Sequence, residues 1–345
     1  MAALQPASGP ARTAPRPRNT RRKAMLAAIV LLAGLWPSSR GAGGGVKGEG
    51  RGESASRMLT THHSTLNPQP STVNPQPSTL NPQAARPDPY RATTSREARQ
   101  NAVQAIPVEK LQAGDRAKVA SVLSNISVFR RMPIGVIDCD PDLYLFMVQH
   151  PDVIVNIWEV LKISRLRVRE VGPDTYQVTD SAGTLATVRF LYRSHDTHLV
   201  YAEGSYDGPL AARPVKGSCL MVLKTGYVRE TDGRYYITSR LDTFLCVEPG
   251  GMELLAKAFQ PLVGKVADNN FLQSVAFLGS LSRTAETHTP VVERLSTKLA
   301  NVQPELRQRL AELAAEVARK SAASSASKTS DPPRVAARND AETTR

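Results

Sequence analysis

The segment Ser218–Val247 reads SCLMVLKTGYVRETDGRYYITSRLDTFLCV, two long apolar-rich runs on either side of Asp232-Gly233. Asp-Gly at the centre of such a segment is typical of a β-hairpin turn. With these two residues as the whole loop, Leu220 faces Leu245 across the hairpin. The pattern therefore predicts one antiparallel pair, with strands at Ser218–Glu230 and Arg234–Val247.

One face of this hairpin carries fewer charges than the other. It contains Leu220, Val222 and Lys224 on the first strand, and Ile237 and Leu241 on the second. Because an antiparallel sheet often buries one face and leaves the other in water, we expect this face to point toward the core. Lys224 is then the polar group of the buried face, unless its ammonium extends to solvent at the sheet edge.

The same register places Cys219 directly across from Cys246. Opposed Cα atoms in an antiparallel pair lie about 4.5–5.5 Å apart, which is within disulfide reach. A β-bulge between the turn and the cysteines would break this alignment. In an oxidising compartment the sequence therefore allows a Cys219–Cys246 disulfide with Cys139 left free, and three free thiols are the alternative.

Shorter strands precede the hairpin. Turn-forming Gly, Pro, Asp and Ser residues separate the segments Arg165–Val171, Thr175–Thr179, Thr184–Arg193 and His198–Tyr206. Since their connections are short, neighbouring strands should be antiparallel. An earlier segment, Ile126–Cys139, is rich in β-branched residues and is predicted to be the first strand.

Helices are predicted on both sides of these strands. A helix is expected over Val108–Asn125. Asp140-Pro141 should cap the first of two further helices, which continue to Leu161. After the hairpin, the apolar spacing predicts a long helix at Met252–Glu286, followed by helices near Pro290–Asn301 and Pro304–Lys320.

This order of elements resembles the helix-grip fold of START-like and polyketide-cyclase-like proteins, the SRPBCC-type superfamily. The stretch from Arg131-Met-Pro133 to Arg240-Leu-Asp242 is similar to uncharacterised bacterial members, and the resemblance covers Ile126–Glu286. It implies an α+β domain in which a curved antiparallel sheet of about seven strands wraps a long C-terminal helix around a hydrophobic cavity. The helices beyond residue 288 are additions to that fold.

If the cavity is open, its lining should come from the buried hairpin face, from an apolar strand face at 186–192, and from the long helix. Filling by these side chains to a solid core is the alternative. The predicted ligand-binding residues are Val188, Phe190, Tyr192, Leu220, Val222, Lys224, Ile237, Leu241, Leu255 and Phe259.

Two clusters of potential ligands have simpler interpretations. Asp138, Asp140 and Asp142 resemble a phosphatase or calcium-loop pattern, but antiparallel strands follow where a phosphatase needs alternating strands and helices. We interpret Asp140 as a helix cap. His195 and His198 flank a predicted turn, and no third zinc ligand lies near them in the sequence. We therefore expect no metal, no cofactor and no catalytic residue.

The chain divides into five segments. Residues 1–42 contain a basic stretch followed by a short apolar run, which is typical of an export signal, while an organelle transit peptide or membrane anchor is the alternative. Residues 43–100 are a Gly- and Pro-rich linker, and 101–287 form the helix-grip domain. Accessory helices are expected at 288–321 and a disordered tail at 322–345. The first segment places the protein in the periplasm, the cell envelope or outside the cell.

The net charge of +13 does not indicate a nucleic-acid partner, because the basic excess lies in the tails. Residues 90–318 hold 27 basic and 25 acidic side chains. The three cysteines exclude a disulfide-dense scaffold. The resemblance to the helix-grip fold, together with the export segment, implies a non-catalytic carrier of a lipid or other hydrophobic small molecule. The alternatives are a cyclase- or hydrolase-type enzyme on the same scaffold and a structural envelope protein without a ligand.

Overall fold

An eight-stranded antiparallel sheet organises the part of the chain that the structure describes. The computed structural model describes residues 88 and 90–329, except 182, 209–212, 232 and 250–260. The described chain from residue 90 onward belongs to one compact unit. The predicted signal at 1–42, most of the linker and the end of the tail lie outside the described residues.

The strands follow one another in antiparallel order, β1-β8-β7-β6-β5-β4-β3, and β2 also pairs with β8. The predicted first strand is in fact two strands, because Pro133 cannot donate to a sheet ladder. The strands are β1 Val128–Arg131, β2 Gly135–Asp138, β3 Arg167–Gly172, β4 Thr175–Thr179, β5 Thr184–Arg193, β6 Thr197–Tyr206, β7 Val215–Arg229 and β8 Tyr235–Val247.

Helices cover both faces of this sheet. The predicted helix cap at Asp140 is confirmed, since its Oδ1 accepts from the backbone N–H groups of Asp142 and Leu143 at 3.0 and 3.1 Å. The predicted α+β helix-grip architecture is also confirmed. The helices are α1 Arg96–Gln104, α2 Ala113–Ser124, α3 Pro141–Gln149, α4 Pro151–Val160, α5 Pro261–Thr287, α6 Thr289–Ser296 and α7 Pro304–Thr329.

The turn between β7 and β8 is one residue longer than predicted. Glu230 N–H donates to the Arg234 carbonyl at 2.8 Å, so these two residues pair and three residues separate them along the chain. Gly233 has a φ of 86°, the left-handed conformation that such loops place at this position. Leu220 consequently faces Phe244 rather than Leu245. A slip of one residue turns every β7 side chain to the other face relative to β8.

The same register excludes the disulfide between Cys219 and Cys246 that the sequence allowed. Cys219 faces Leu245 and Cys246 faces Ser218, so the two thiols point to opposite sides of the sheet. Cys219 is fully buried beside Ala202 and Leu245, and none of the three cysteines of the described chain forms a disulfide.

The outer face of the sheet is covered by α1 and α2. Leu220, Val222 and Phe244 pack there against Ala102 and Val119. The predicted linker is therefore too long, because α1 begins at residue 96. Ser95 Oγ accepts from Ala98 N–H at 3.2 Å and starts that helix.

The inner face of the sheet packs against α5. A Cβ added to Gly135 of β2 would lie 2.8 Å from Val275 Cγ1, so only glycine permits this close approach. Arg130 of β1 donates through Nε to Asp268 Oδ1 at 2.8 Å. Arg234 forms ion pairs with Asp138 of β2 and Glu286 of α5. The helix is thus fixed to the edge strands by charge pairs and by van der Waals contact.

The last helix, α7, packs against α3 and α5. Lys320 Nζ donates to Asp140 Oδ2 at 2.9 Å and to Asp142 Oδ2 at 2.7 Å. The helix continues to Thr329, so residues 322–329 of the predicted disordered tail are helical. Of the described helices, none is both long and apolar enough to cross a membrane.

We expect Asp242→Ala to destabilise the domain by about 3–5 kcal/mol, the usual cost of leaving a buried charge without its partner. Asp242 is fully buried and accepts from Arg131 Nε at 2.6 Å and Nη2 at 3.0 Å, and the same guanidinium donates to the Ala98 carbonyl of α1. Urea unfolding measures the change. Glu312→Ala, which removes an exposed ion pair, should shift the free energy of unfolding by less than about 1 kcal/mol. Equal effects of the two substitutions on the free energy of unfolding would contradict the stabilising role of the Arg131–Asp242 ion pair.

We expect three titratable thiols per unfolded chain, even after oxidative treatment. In the folded protein, burial raises the pKa of Cys139 and of Cys219 to about 12, so these thiols should react slowly. Half-buried Cys246 should react first, and Cys246→Ser should remove the fast phase. A count of one thiol in the unfolded protein would show that a disulfide forms and would contradict this prediction.

Candidate functional site

A cavity of about 180 Å³ lies between the inner face of the sheet and helices α3, α4 and α5. Its walls are mainly aliphatic and aromatic. Of the described residues, none that lines the cavity carries a formal charge at neutral pH. Such an enclosure between a sheet and its helices is typical of a small-molecule site.

Three of the predicted ligand-binding residues line the cavity, namely Val188 and Phe190 of β5 and Leu241 of β8. Ile237 also lies on the inner face, where it is fully buried near Leu278 in the core without lining the cavity. The sequence therefore predicted the orientation of β8 and of the first part of β5.

Tyr192 is on the other face because β5 contains a bulge. Phe190 pairs with Val200, whereas Tyr192 pairs with Leu199, so the register shifts by one residue between them. The bulge turns Tyr192 toward α1 and α2, where its hydroxyl accepts from Lys110 Nζ at 3.2 Å. Its predicted place in the cavity lining is wrong.

Leu220, Val222 and Lys224 are also on the outer face, as the three-residue turn requires. Leu220 and Val222 are fully buried in the outer core. Lys224 Nζ donates to Thr197 Oγ1 and lies 3.4 Å from Asp196 Oδ2. None of the three lines the cavity. Leu255 and Phe259, the last two predicted residues, lie outside the described residues.

The sequence analysis missed the wall that α3 and α4 contribute. Four large side chains from these helices close the cavity, and the near-continuous apolar run of α4 was the signal that could have identified it. These side chains are Tyr144, Met147, Ile154 and Trp158.

His198 is the most unusual group in the cavity lining. It is fully buried, and neither ring nitrogen has a hydrogen-bond partner among the described residues. The Phe190 ring lies 6.4 Å away, at a steep angle to the imidazole. Burial, together with the positive charge of Arg193, lowers the pKa of His198 to about 4. The imidazole is therefore neutral at physiological pH, with one donor and one acceptor nitrogen.

A hydroxyl network lies beside His198 on the same face. Tyr144 Oη is 2.7 Å from Ser239 Oγ and 3.3 Å from Thr225 Oγ1. Burial raises the pKa of Tyr144, so its hydroxyl stays protonated. His198 faces Leu223, and Thr225 is two residues further along β7. Diagonal neighbours of this kind lie about 7–8 Å apart, so His198 and these hydroxyls form a polar group at one end of the cavity, while Thr184 and Ser274 line it elsewhere.

A charged residue, Arg193, lies next to the polar end of the cavity without lining it. The Arg193 guanidinium carbon lies 3.9 Å from the centre of the Phe190 ring, and its Nη2 pairs with Asp174 Oδ1 at 2.9 Å. Nη2 also donates to Tyr176 Oη at 3.5 Å. Phe190 and Tyr176 thus separate the arginine from the cavity that they line.

The other clusters of potential ligands have structural partners. Asp138 accepts from Arg234 Nε at 2.6 Å, while Asp140 and Asp142 share Lys320. The exposed His195 stacks on Tyr227, with ring centres 4.1 Å apart. Within the described ranges, no group of three His, Cys, Asp or Glu side chains could hold a metal ion.

No family model matches this sequence. No curated protein matches it either.

Solved structures similar to the chain include a conserved protein from Geobacillus kaustophilus (11% identity, 42% of this chain and 93% of the other, TM-score 0.28). A hypothetical protein from Helicobacter pylori is similar at 9% identity, with 42% and 84% covered and a TM-score of 0.27. Norcoclaurine synthase from Thalictrum flavum is similar at 12% identity, with 46% and 90% covered and a TM-score of 0.28. Scores this low carry no information on ligand or activity.

We expect the free energy of unfolding to fall as the pH drops from about 6.5 toward 4. Burial lowers the pKa of both His150 and His198 to about 4, so the unfolded chain binds protons over this range that the folded chain does not. Below about pH 4 this contribution should level off. Urea unfolding at each pH, compared between the wild type and the variant His150→Gln/His198→Phe, measures it. If the free energy of unfolding of the double variant fell with pH as steeply as that of the wild type, the lowered pKa values of His150 and His198 would not be its cause.

Proposed function

We propose that this helix-grip domain, similar to START-like proteins, binds and carries a small, mainly apolar molecule in the cavity on the inner face of the sheet. The observation that carries the proposal is the cavity of about 180 Å³ with its uncharged, largely apolar lining. Apolar area that leaves water there contributes roughly 25 cal/mol per Å².

The size of the cavity limits the ligand. A dry protein cavity of about 150 Å³ holds benzene, whereas pockets for drug-sized molecules have volumes of about 300–1,000 Å³. This cavity therefore suits one ring with a short substituent better than a long acyl chain. Burial of ~200 Å² of ring surface contributes about 5 kcal/mol, which corresponds to a dissociation constant below about 1 mM.

A cyclase- or hydrolase-type enzyme is the second candidate. Two protic side chains, Tyr144 and His198, line the cavity, and either could exchange a proton with a bound molecule. Carriage is favoured because Tyr144 is paired with Ser239 rather than with a base, and no hydrogen bond to a carboxylate orients His198 within the described residues.

Export is part of the proposal. The basic residues Arg21, Arg22 and Lys23, followed by the apolar run Ala24–Trp36, support a signal segment. A carrier outside the cytoplasm binds and releases its ligand without catalysing a reaction. Cell fractionation of the full-length chain tests the location.

We expect Ala186→Phe to abolish binding of toluene, because the new ring occupies the cavity that Ala186 lines. Leu185→Phe is the matched control, since Leu185 is the adjacent residue on β5 and its side chain is exposed. Calorimetric titration of the wild-type full chain should show saturable binding in the submillimolar range, and so should the control. Circular dichroism checks that each variant is folded.

Binding that survives in folded Ala186→Phe would place the ligand elsewhere. Absence of toluene binding in the wild type would contradict the proposed function.

A further inference from the structure

We propose that the ligand carries one neutral hydroxyl, as in a phenol or a cyclic alcohol, and that His198 selects it by hydrogen bonding. This inference rests on the proposed function and specifies its ligand class.

His198 is the observation that points to a polar group on the ligand. A buried imidazole without a partner loses the hydrogen bonds that it would make to water, which is costly. His198 is fully buried, lines the cavity and has two unpartnered ring nitrogens within the described structure. A ligand atom in the cavity is well placed to restore one of these hydrogen bonds.

The partner must be a hydroxyl rather than a charged group. An ionised carboxylate would need a cation to offset its desolvation, and the described lining offers none. Arg193 pairs with Asp174, stacks on the Phe190 ring and is not among the lining residues. A hydroxyl both donates and accepts, so it fits the neutral imidazole in either tautomer. Its second hydrogen bond can be made to the hydroxyl network of Tyr144 and Ser239, which lines the same end.

The remaining shape of the cavity fits an apolar ring. Away from His198, the walls of the cavity include Ile154, Val178 and Leu278. A phenol-sized molecule can place its ring against these side chains and its oxygen toward the imidazole. The cavity volume leaves room for little more than a single ring with a short substituent.

Three probes of similar size test this inference. Toluene and p-cresol differ by one hydroxyl, and benzoate adds a charge at similar size. In the wild-type full chain, p-cresol should bind about fivefold to tenfold more tightly than toluene, the fold-change expected for one net hydrogen bond. Benzoate should not bind measurably at neutral pH.

The variant His198→Phe should keep toluene binding and lose the preference for p-cresol. The variant His198→Leu serves the same purpose if the phenyl ring blocks entry. Leu185→Phe, a change at an exposed residue of β5, is the control and should keep the preference. Titration calorimetry measures the affinities, and circular dichroism confirms folding.

Equal affinity for toluene and p-cresol in the wild type would overturn the hydroxyl assignment while leaving the carrier proposal intact. A preference for p-cresol that persists in both His198 variants would overturn the role of His198. Binding of benzoate at least as tight as that of p-cresol would replace the neutral ligand with an anion. Failure of every probe to bind would overturn this inference together with the proposed function.

Discussion

The pairing of β7 with β8 is the constraint on which both cores depend. The hydrogen bond between Glu230 and Arg234, which three residues separate at the turn, is the first of this pairing, and the pairing decides which residues of β7 face α5 and which face α1 and α2. With this register, Met221 and Leu223 line the cavity, while Leu220 and Val222 fill the outer core. A shift of one residue would exchange the two sets and place Lys224 in the cavity.

Local sequence patterns were sufficient to identify the elements but not to orient them. The bounds of β4 and β5 agree with the prediction, because alternation and turn residues are short-range signals. The choice of the inner face of β7 assumed that only one face of the sheet is buried. Here α1 and α2 bury the second face as well, so both sides of β7 are apolar and counting charges could not separate them. The α1 helix was overlooked because its buried residues include only small ones, Ala98 and Ala102.

The cavity was predicted only in part for a related reason. The bulge between Phe190 and Tyr192 depends on how β5 pairs with β6, a contact between strands that no pattern within β5 reveals. The contribution of α3 and α4 depends on how they pack over the open end of the sheet. His198 was considered only as half of a metal pair with His195, because its burial results from the β6–β7 pairing. Residues whose role is set by long-range pairing are therefore those that the sequence alone misassigned.

The cavity and the unpaired His198 both lower the stability of the folded domain, and they lie at the same place. Side chains that line a cavity of about 180 Å³ lack part of the packing contacts of a filled core, which lowers stability. An unpaired buried imidazole adds about 1–3 kcal/mol. The buried carboxylate of Asp242, by contrast, is satisfied by Arg131. The close approach of Gly135 to Val275 shows that β2 and α5 are tightly packed where they meet. Two costs that coincide at one place, in an otherwise well-packed domain, are typical of a site shaped by binding rather than by folding. A ligand that fills the volume and pairs with the imidazole would offset both costs at once.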